Sequence, residues 1–374
     1  MKKFVIIGCG GIGSYHLDNI KHHDDIVLAG FCDLVPSRAE RLAAGADIAK
    51  ASNLNIGKAK VFTDFRKMYD AIKPDGAFVC VPPYRHGDIE FESIDRGIAM
   101  FVEKPLAIDL GLACEINRRI AAKNLIAASG FQCRYSTINA PARQFICENP
   151  VITIAASRVG GLPAMEWINR KEYSGGQLVE QTIHQVDILR YLIGEVDTVF
   201  SVPTRGFISA SESPGYDIDD ASVTIMSFKS GITASMTTGC YALDDASWDS
   251  KMTFGSRASR MDYRLATSVT IYGAAYGPAE ANGLAQSGDG GGVGTTGNAG
   301  GGTPCVSDDG KGVVYRNAND YGAECDRAFI DAVISGDPSA IRSPYADALK
   351  SVALVLACNE SMDSGQPVKV KYAV

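Results

Sequence analysis

Six residues near the start constrain this chain more than any others. Lys3–Ile7 is a short apolar run that leads without a break into Gly8-Cys9-Gly10-Gly11-Ile12-Gly13, a G-x-G-x-x-G pattern. A helical pattern follows through Lys21. A second apolar run, Ile26–Cys32, then ends at Asp33, 20 residues beyond the last glycine. Each position has a task in a strand–turn–helix unit that binds a dinucleotide. Gly8 permits the tight turn, Gly10 lets a pyrophosphate approach the backbone, and Gly13 lets the helix pack close to the strand. The helix start at Gly11 and Ile12 offers free N–H groups and a positive dipole end to phosphates. Asp33 is placed to accept hydrogen bonds from the adenosine ribose and to repel a 2′-phosphate. That favours NAD over NADP, a preference that Arg38, five residues on, softens. The glycines alone would suit any tight turn in an α/β protein. The ordered series of strand, motif, helix, strand and acid makes a nucleotide site the better expectation.

The alternation continues. Strands are expected at Gly76–Val81, Ile98–Val102 and Leu125–Ser129, with helices over Asp88–Arg96 and Asp109–Lys123. Strand–helix alternation implies a parallel sheet with right-handed crossovers, and ligands bind beyond the carboxyl ends of its strands. Those ends carry Val81-Pro82-Pro83 with His86, and Glu103-Lys104-Pro105. A proline disfavours helical geometry in the residue before it, so Lys104 is held extended at a strand tip. A solvated loop lysine would look the same in isolation.

At 374 residues the chain has room for two domains with full cores. A net charge of −7, without a dense basic run, argues against a nucleic-acid surface. Nothing approaches the length of a transmembrane span. The apolar stretch after Lys2-Lys3 is too short for a signal peptide and reads as a first strand. The ten cysteines are scattered, with no CxxC pair, and several fall inside apolar runs. They read as reduced core thiols of a cytoplasmic protein.

From about residue 130 the texture changes. Apolar, β-rich segments at 151–159, 197–203, 221–228, 231–240, 251–255 and 268–273 are separated by short turns. This suggests an α+β domain whose largely antiparallel open sheet has helices on one face. The expected division is 1–128 for the dinucleotide domain and 129–374 for the second. A helix over Gln177–Leu192 would place Glu180, His184 and Asp187, spaced i, i+4, i+7, on one face. Val179, Ile183, Val186 and Leu189 would form its buried stripe. An ordinary solvated face has the same spacing. A metal site needs at least three ligands, and the five histidines supply no convincing third. Trp167 and Tyr173 could stack on a sugar ring, and Arg170 could meet cofactor or substrate; packing of the loop explains them equally well. Gln132 and Arg134 follow the Leu125–Ser129 strand and are expected at the cleft. Residues 283–302 contain ten glycines in twenty and read as a mobile surface loop.

Taken together, "VIIGCGGIG", "VCVPPYRH" at 79–86, "EKP" at 103–105, "SGFQCRY" at 129–135, "GGQLVEQTIHQVDILRYL" at 175–192 and the closing "ALKSVALVLACNESMDSGQPVKV" resemble the Gfo/Idh/MocA oxidoreductases, named for glucose–fructose oxidoreductase and inositol dehydrogenase. The resemblance implies a Rossmann domain followed by an open-sheet domain that mediates a homodimer or homotetramer. It makes Lys104 catalytic, with a cis bond to Pro105, and lines the nicotinamide pocket with Val81–Pro83. It puts Glu180 and His184 in the active site, although many relatives have aspartate where this chain has Glu180. The implied reaction is hydride transfer between NAD and a secondary alcohol of a sugar, cyclitol or glycoside. His184 would be the base, Glu180 would orient it, and Lys104 would bond the developing alkoxide. Two alternatives come from relatives of other kinds: a dinucleotide-binding regulator, and a glycosidase that oxidises its substrate transiently. Lys104 and His184 favour an enzyme, since a sensor has no need of them.

Overall fold

The computed structural model describes residues 1–45, 59–273, 305–307 and 311–372. The glycine-rich stretch 283–302 lies outside them. The chain divides into two compact units, Met1–Gln132 with Gly322–Val352, and Cys133–Tyr321 with Ala353–Tyr372. The sequence placed everything after residue 128 in the second domain. Residues 322–352 instead group with the first unit.

The first unit holds a parallel sheet of β1 (Lys2–Ile7), β2 (Ile26–Cys32), β3 (Lys60–Phe62), β4 (Gly76–Val79), β5 (Ala99–Val102) and β6 (Ala127–Ser129). Their order is β3-β2-β1-β4-β5-β6, a doubly wound arrangement. Both faces are covered, which is why β1 reads as an uninterrupted apolar run rather than an alternating one. Phe4, Phe78 and Phe101 meet Phe329 of the helix Tyr321–Ser335 on one face, with Phe78 and Phe101 paired in register. Val5, Ile7, Ala77 and Val79 pack with Met68, Tyr69, Ile72 and Ile89 on the other. Gly76 makes room for Phe4; a Cβ there would lie 2.5 Å from the ring.

The second unit holds a ten-stranded sheet. Its strands are β7 (Thr153–Gly161), β8 (Val196–Thr204), β9 (Ala221–Phe228), β10 (Thr233–Ala242), β11 (Asp249–Gly255), β12 (Ser259–Arg264), β13 (Ser268–Gly273), β14 (Cys305–Val306), β15 (Gly312–Arg316) and β16 (Val368–Lys369). Only β7 and β10 pair in parallel; the other neighbours run antiparallel. Burial alternates strictly along β9, where Ser222, Thr224, Met226 and Phe228 point inward while Val223 and Ile225 are exposed.

Candidate active site

In the first unit the carboxyl ends of four strands form a continuous row. Gly8, Cys80, Glu103 and Gly130 extend β1, β4, β5 and β6, and their N–H groups bond the carbonyls of Cys32, Ile7, Val79 and Val102. Gly8 has φ +89°, and a Cβ on it would lie 2.3 Å from the Cys80 carbonyl oxygen. A Cβ on Gly13 would lie 2.2 Å from the Gly8 carbonyl oxygen, so helix α1 (Gly11–Ile20) can sit this close to β1 only with glycine there. Gly10 and Gly11 are different: nothing lies within 4 Å of the positions their Cβ atoms would take. These glycines are not needed to fit the protein to itself. The space over Gly10 is the cradle a pyrophosphate requires. Gly10→Ala should therefore leave thermal stability nearly unchanged and weaken NADH binding at least about tenfold, measured by fluorescence titration beside a melting curve.

Asp33 follows β2. One carboxylate oxygen accepts the Cys9 N–H at 2.8 Å and the other the Val35 N–H at 2.8 Å. This ties the acid to the glycine turn, with acceptor capacity on each oxygen to spare. Ile12, Leu34 and Val35 are exposed on the segments that follow β1 and β2, and Arg38 is exposed beside them. The residues present thus fit a dinucleotide.

Lys104 continues directly from the tip of β5. It is half-buried, and its peptide bond to Pro105 is cis. Glu103 serves the protein's interior. Its carboxylate accepts the Lys104 N–H at 3.0 Å and bonds His16 Nε2 at 2.9 Å. The other ring nitrogen of His16 bonds both oxygens of Asp326 at 2.9 Å. Burial disfavours charge on this ring, but Asp326 and Glu103 outweigh it and raise the imidazole pKa to about 10. These two carboxyl groups favour the protonated form of the ring.

Val81 and Pro82 are half-buried and Pro83 is buried, opening a short turn, Pro83–Arg85, beyond β4. His86 does not face outward. Its Nδ1 bonds Glu90 at 2.6 Å, and Glu90 also accepts the Gly87 N–H, capping the helix Asp88–Asp95. Gln132 accepts the Tyr15 hydroxyl at 2.6 Å.

In the second unit, the helix expected over Gln177–Leu192 is two helices, Gln177–Glu180 and Ile183–Ile193, with a turn at Gln181–Thr182. Gly175 and Gly176, at φ +76° and +97°, admit the chain to the first. The turn is fixed from three sides. Gln181 and Thr182 both donate backbone N–H groups to the Gln177 carbonyl, Arg158 donates to the Gln181 side chain at 3.0 Å, and Gln177 donates to Thr238 of β10 at 2.6 Å. Glu180 thus ends one helix and His184 begins the next, so their spacing is not that of one regular helix face. Glu180 is buried and His184 half-buried. Val179, Ile183, Val186 and Leu189 are fully buried, as their spacing predicts.

Arg134, expected at the cleft, is 2% exposed and is held by both oxygens of Asp187 at 2.7 and 2.6 Å. Its guanidinium is committed to the helix that carries His184. Asp187 likewise belongs to the buried side and not to a reactive row. Trp167 is half-buried and Tyr173 exposed; Arg170 lies 3.6 Å from Asp217. Among the described residues, no group of three or more histidine, cysteine, aspartate or glutamate side chains is arranged to hold a metal.

Doubly wound sheet, glycine turn, strand-tip lysine and open-sheet domain define a dinucleotide-binding oxidoreductase class. Residues 2–131 match the model of the oxidoreductase family with an NAD-binding Rossmann fold, and residues 150–259 match the C-terminal domain model of the same family. Together they cover more than half the chain, which belongs to the Gfo/Idh/MocA family. Myo-inositol 2-dehydrogenase of Thermotoga maritima is 27% identical over 233 residues, 60% of this chain and 65% of that protein. The scyllo-inositol 2-dehydrogenase of Bacillus subtilis is 28% identical over 60% of this chain and 64% of its own length. The match thus spans a little under two thirds of these relatives. Among solved structures, a Lactobacillus plantarum myo-inositol 2-dehydrogenase superposes with a TM-score of 0.73 at 19% identity, covering 99% of both chains. An Agrobacterium radiobacter oxidoreductase in complex with NAD+, L-tartaric acid and magnesium gives 0.75 at 15% identity, over 99% of this chain and 98% of that one. At these identities the likeness is one of fold.

Proposed function

We propose that the protein is an NAD-dependent dehydrogenase acting on a secondary alcohol of a sugar, cyclitol or glycoside. The observation that carries this is the placement of Lys104 at the same row of strand tips as the glycine turn. Bound NAD supplies a hydride acceptor. Gly8, Gly10, Gly11, Ile12, Gly13 and Asp33 would hold it, and Val81 and Pro82 would line the nicotinamide pocket. Lys104 donates a hydrogen bond to the substrate oxygen as negative charge develops there. His184 takes the hydroxyl proton, and Glu180 orients the ring and steadies its protonated form. Trp167, Arg170 and Tyr173 are candidates for holding the substrate ring. Arg134 is not, because Asp187 occupies its guanidinium.

The names of the relatives support the substrate class: two oxidise inositols, and an Escherichia coli relative, 26% identical over 247 residues, is D-glucoside 3-dehydrogenase. Val202, Val223 and Ile225 are exposed on the open sheet, with Val202 and Val223 paired across strands. That apolar strip supports a homodimer or homotetramer formed through this face. Cys9, Cys32, Cys133, Cys240, Cys325 and Cys358 are buried in the cores, which supports a cytoplasmic setting.

The test is one incubation with NAD and a panel of inositols, sugars and glycosides, following absorbance at the NADH band together with the products. A dehydrogenase accumulates NADH and ketone. Cleaved glycoside without NADH would make it a glycosidase, and NAD binding with no turnover would make it a regulator.

A further inference from the structure

One buried polar cluster of the first unit takes no part in the reaction described above. His16 is 2% exposed and lies in the buried row Gly13, His16, Leu17, Ile20 of α1. Phe78 and Phe101 flank its ring at 5.3 and 5.0 Å between centroids. Its two nitrogens each meet a carboxyl group, Asp326 and Glu103, at 2.9 Å. Asp326 is braced by the Asn19 side chain at 2.8 Å. Gly130 leaves room for Glu103, whose carboxylate would lie 2.2 Å from a Cβ at that position.

We propose that His16 is a positioning residue for Lys104: it anchors the Glu103 carboxylate, which in turn holds the Lys104 amide and fixes the angle at which the lysine leaves β5. This rests on the reading of Lys104 as the donor to the substrate oxygen. The bonds run in series from the Lys104 N–H through Glu103 and His16 to Asp326, and those joining Glu103, His16 and Asp326 are buried, where each is stronger than in water. The anchor stands on α1, one turn beyond Gly13. The helix whose start receives the phosphates therefore also sets the lysine, and a single rigid element aligns coenzyme and donor. Packing alone does not call for such a cluster. An apolar side chain filling this place among phenylalanines would avoid burying the ring and two carboxyl groups.

The experiment compares wild type, His16→Gln and Asp326→Asn by hydrogen exchange, with peptides resolved by mass spectrometry, alongside steady-state kinetics and NADH titration. In His16→Gln the peptide spanning 99–108 is expected to exchange at least about tenfold faster, with peptides of β10 unchanged. kcat is expected to fall at least about tenfold while the NADH Kd and the alcohol KM stay within about threefold. Asp326→Asn, which keeps the shape and an acceptor for the ring, should shift both in the same direction by less, and serves alone if His16→Gln does not fold. Unchanged exchange over 99–108, or a faster-exchanging variant with undiminished kcat, overturns the proposal. If wild type oxidises no alcohol on the panel, the dehydrogenase reading fails, while the exchange result still decides whether His16 anchors the segment.

Discussion

Lys104→Ala is expected to lower kcat by about 10²–10³-fold while NADH still binds. The lysine stands at the end of β5 and takes no part in the core, so its removal leaves the sheet intact. What is lost is a preorganised cation at the substrate oxygen, about 3–4 kcal/mol of transition-state stabilisation. His184→Ala should lose about 10²–10⁴-fold, the usual contribution of a positioned base. On the proposed mechanism the two groups serve one proton and hydride event, so the double variant should fall well short of the product of the single losses. Steady-state kinetics on the best substrate of the panel, with NADH titration of each variant, provides the check. Near-normal turnover in both single variants would exclude the proposed mechanism.

Arg134→Met should destabilise the protein by about 3–5 kcal/mol, the cost of leaving one partner of a buried ion pair uncompensated. Asp187 is 1% exposed, and Arg190 Nη1 lies 3.8 Å from one of its oxygens. Arg134→Met with Asp187→Leu removes both charges and should recover more than half of the loss, since a buried pair is often replaceable by apolar groups of similar volume. Denaturant midpoints of the three proteins measure this. An arginine that reached substrate would give another pattern: a raised KM at unchanged stability, and no rescue by the second substitution.

Where backbone chemistry is local, the chain was legible. Ile26–Cys32, Ala221–Phe228 and Ser268–Gly273 begin and end where the pattern of apolar residues places them. The glycine turn was legible because Gly8 and Gly13 answer steric demands that no other residue meets, and Gly10 leaves open the space a pyrophosphate needs. The break at Gln181–Thr182 was not, because the apolar stripe continues across it in register. Long-range bonds hold this turn, from Arg158 to Gln181 and from Gln177 to β10, and no window of sequence contains both ends. Arg134 was misplaced for a related reason: its partner lies 53 residues away. His16 and Asp326 carried a signal that went unread. Each is a charged residue in the buried row of an otherwise apolar helix face, and burial of that kind demands a partner.

The make-up of the first unit bears on how the chain matures. Phe329 and Asp326 belong to its core, yet both lie in the stretch that follows the entire ten-stranded sheet except β16. A nascent chain emerging from the ribosome can lay down β1 to β6 early, but His16 then waits without its aspartate, and one face of the sheet stays bare of its phenylalanine. The nucleotide-binding half is begun before the ten-stranded sheet and completed only after nearly all of it. Until then it stays open to chaperones and to misassociation.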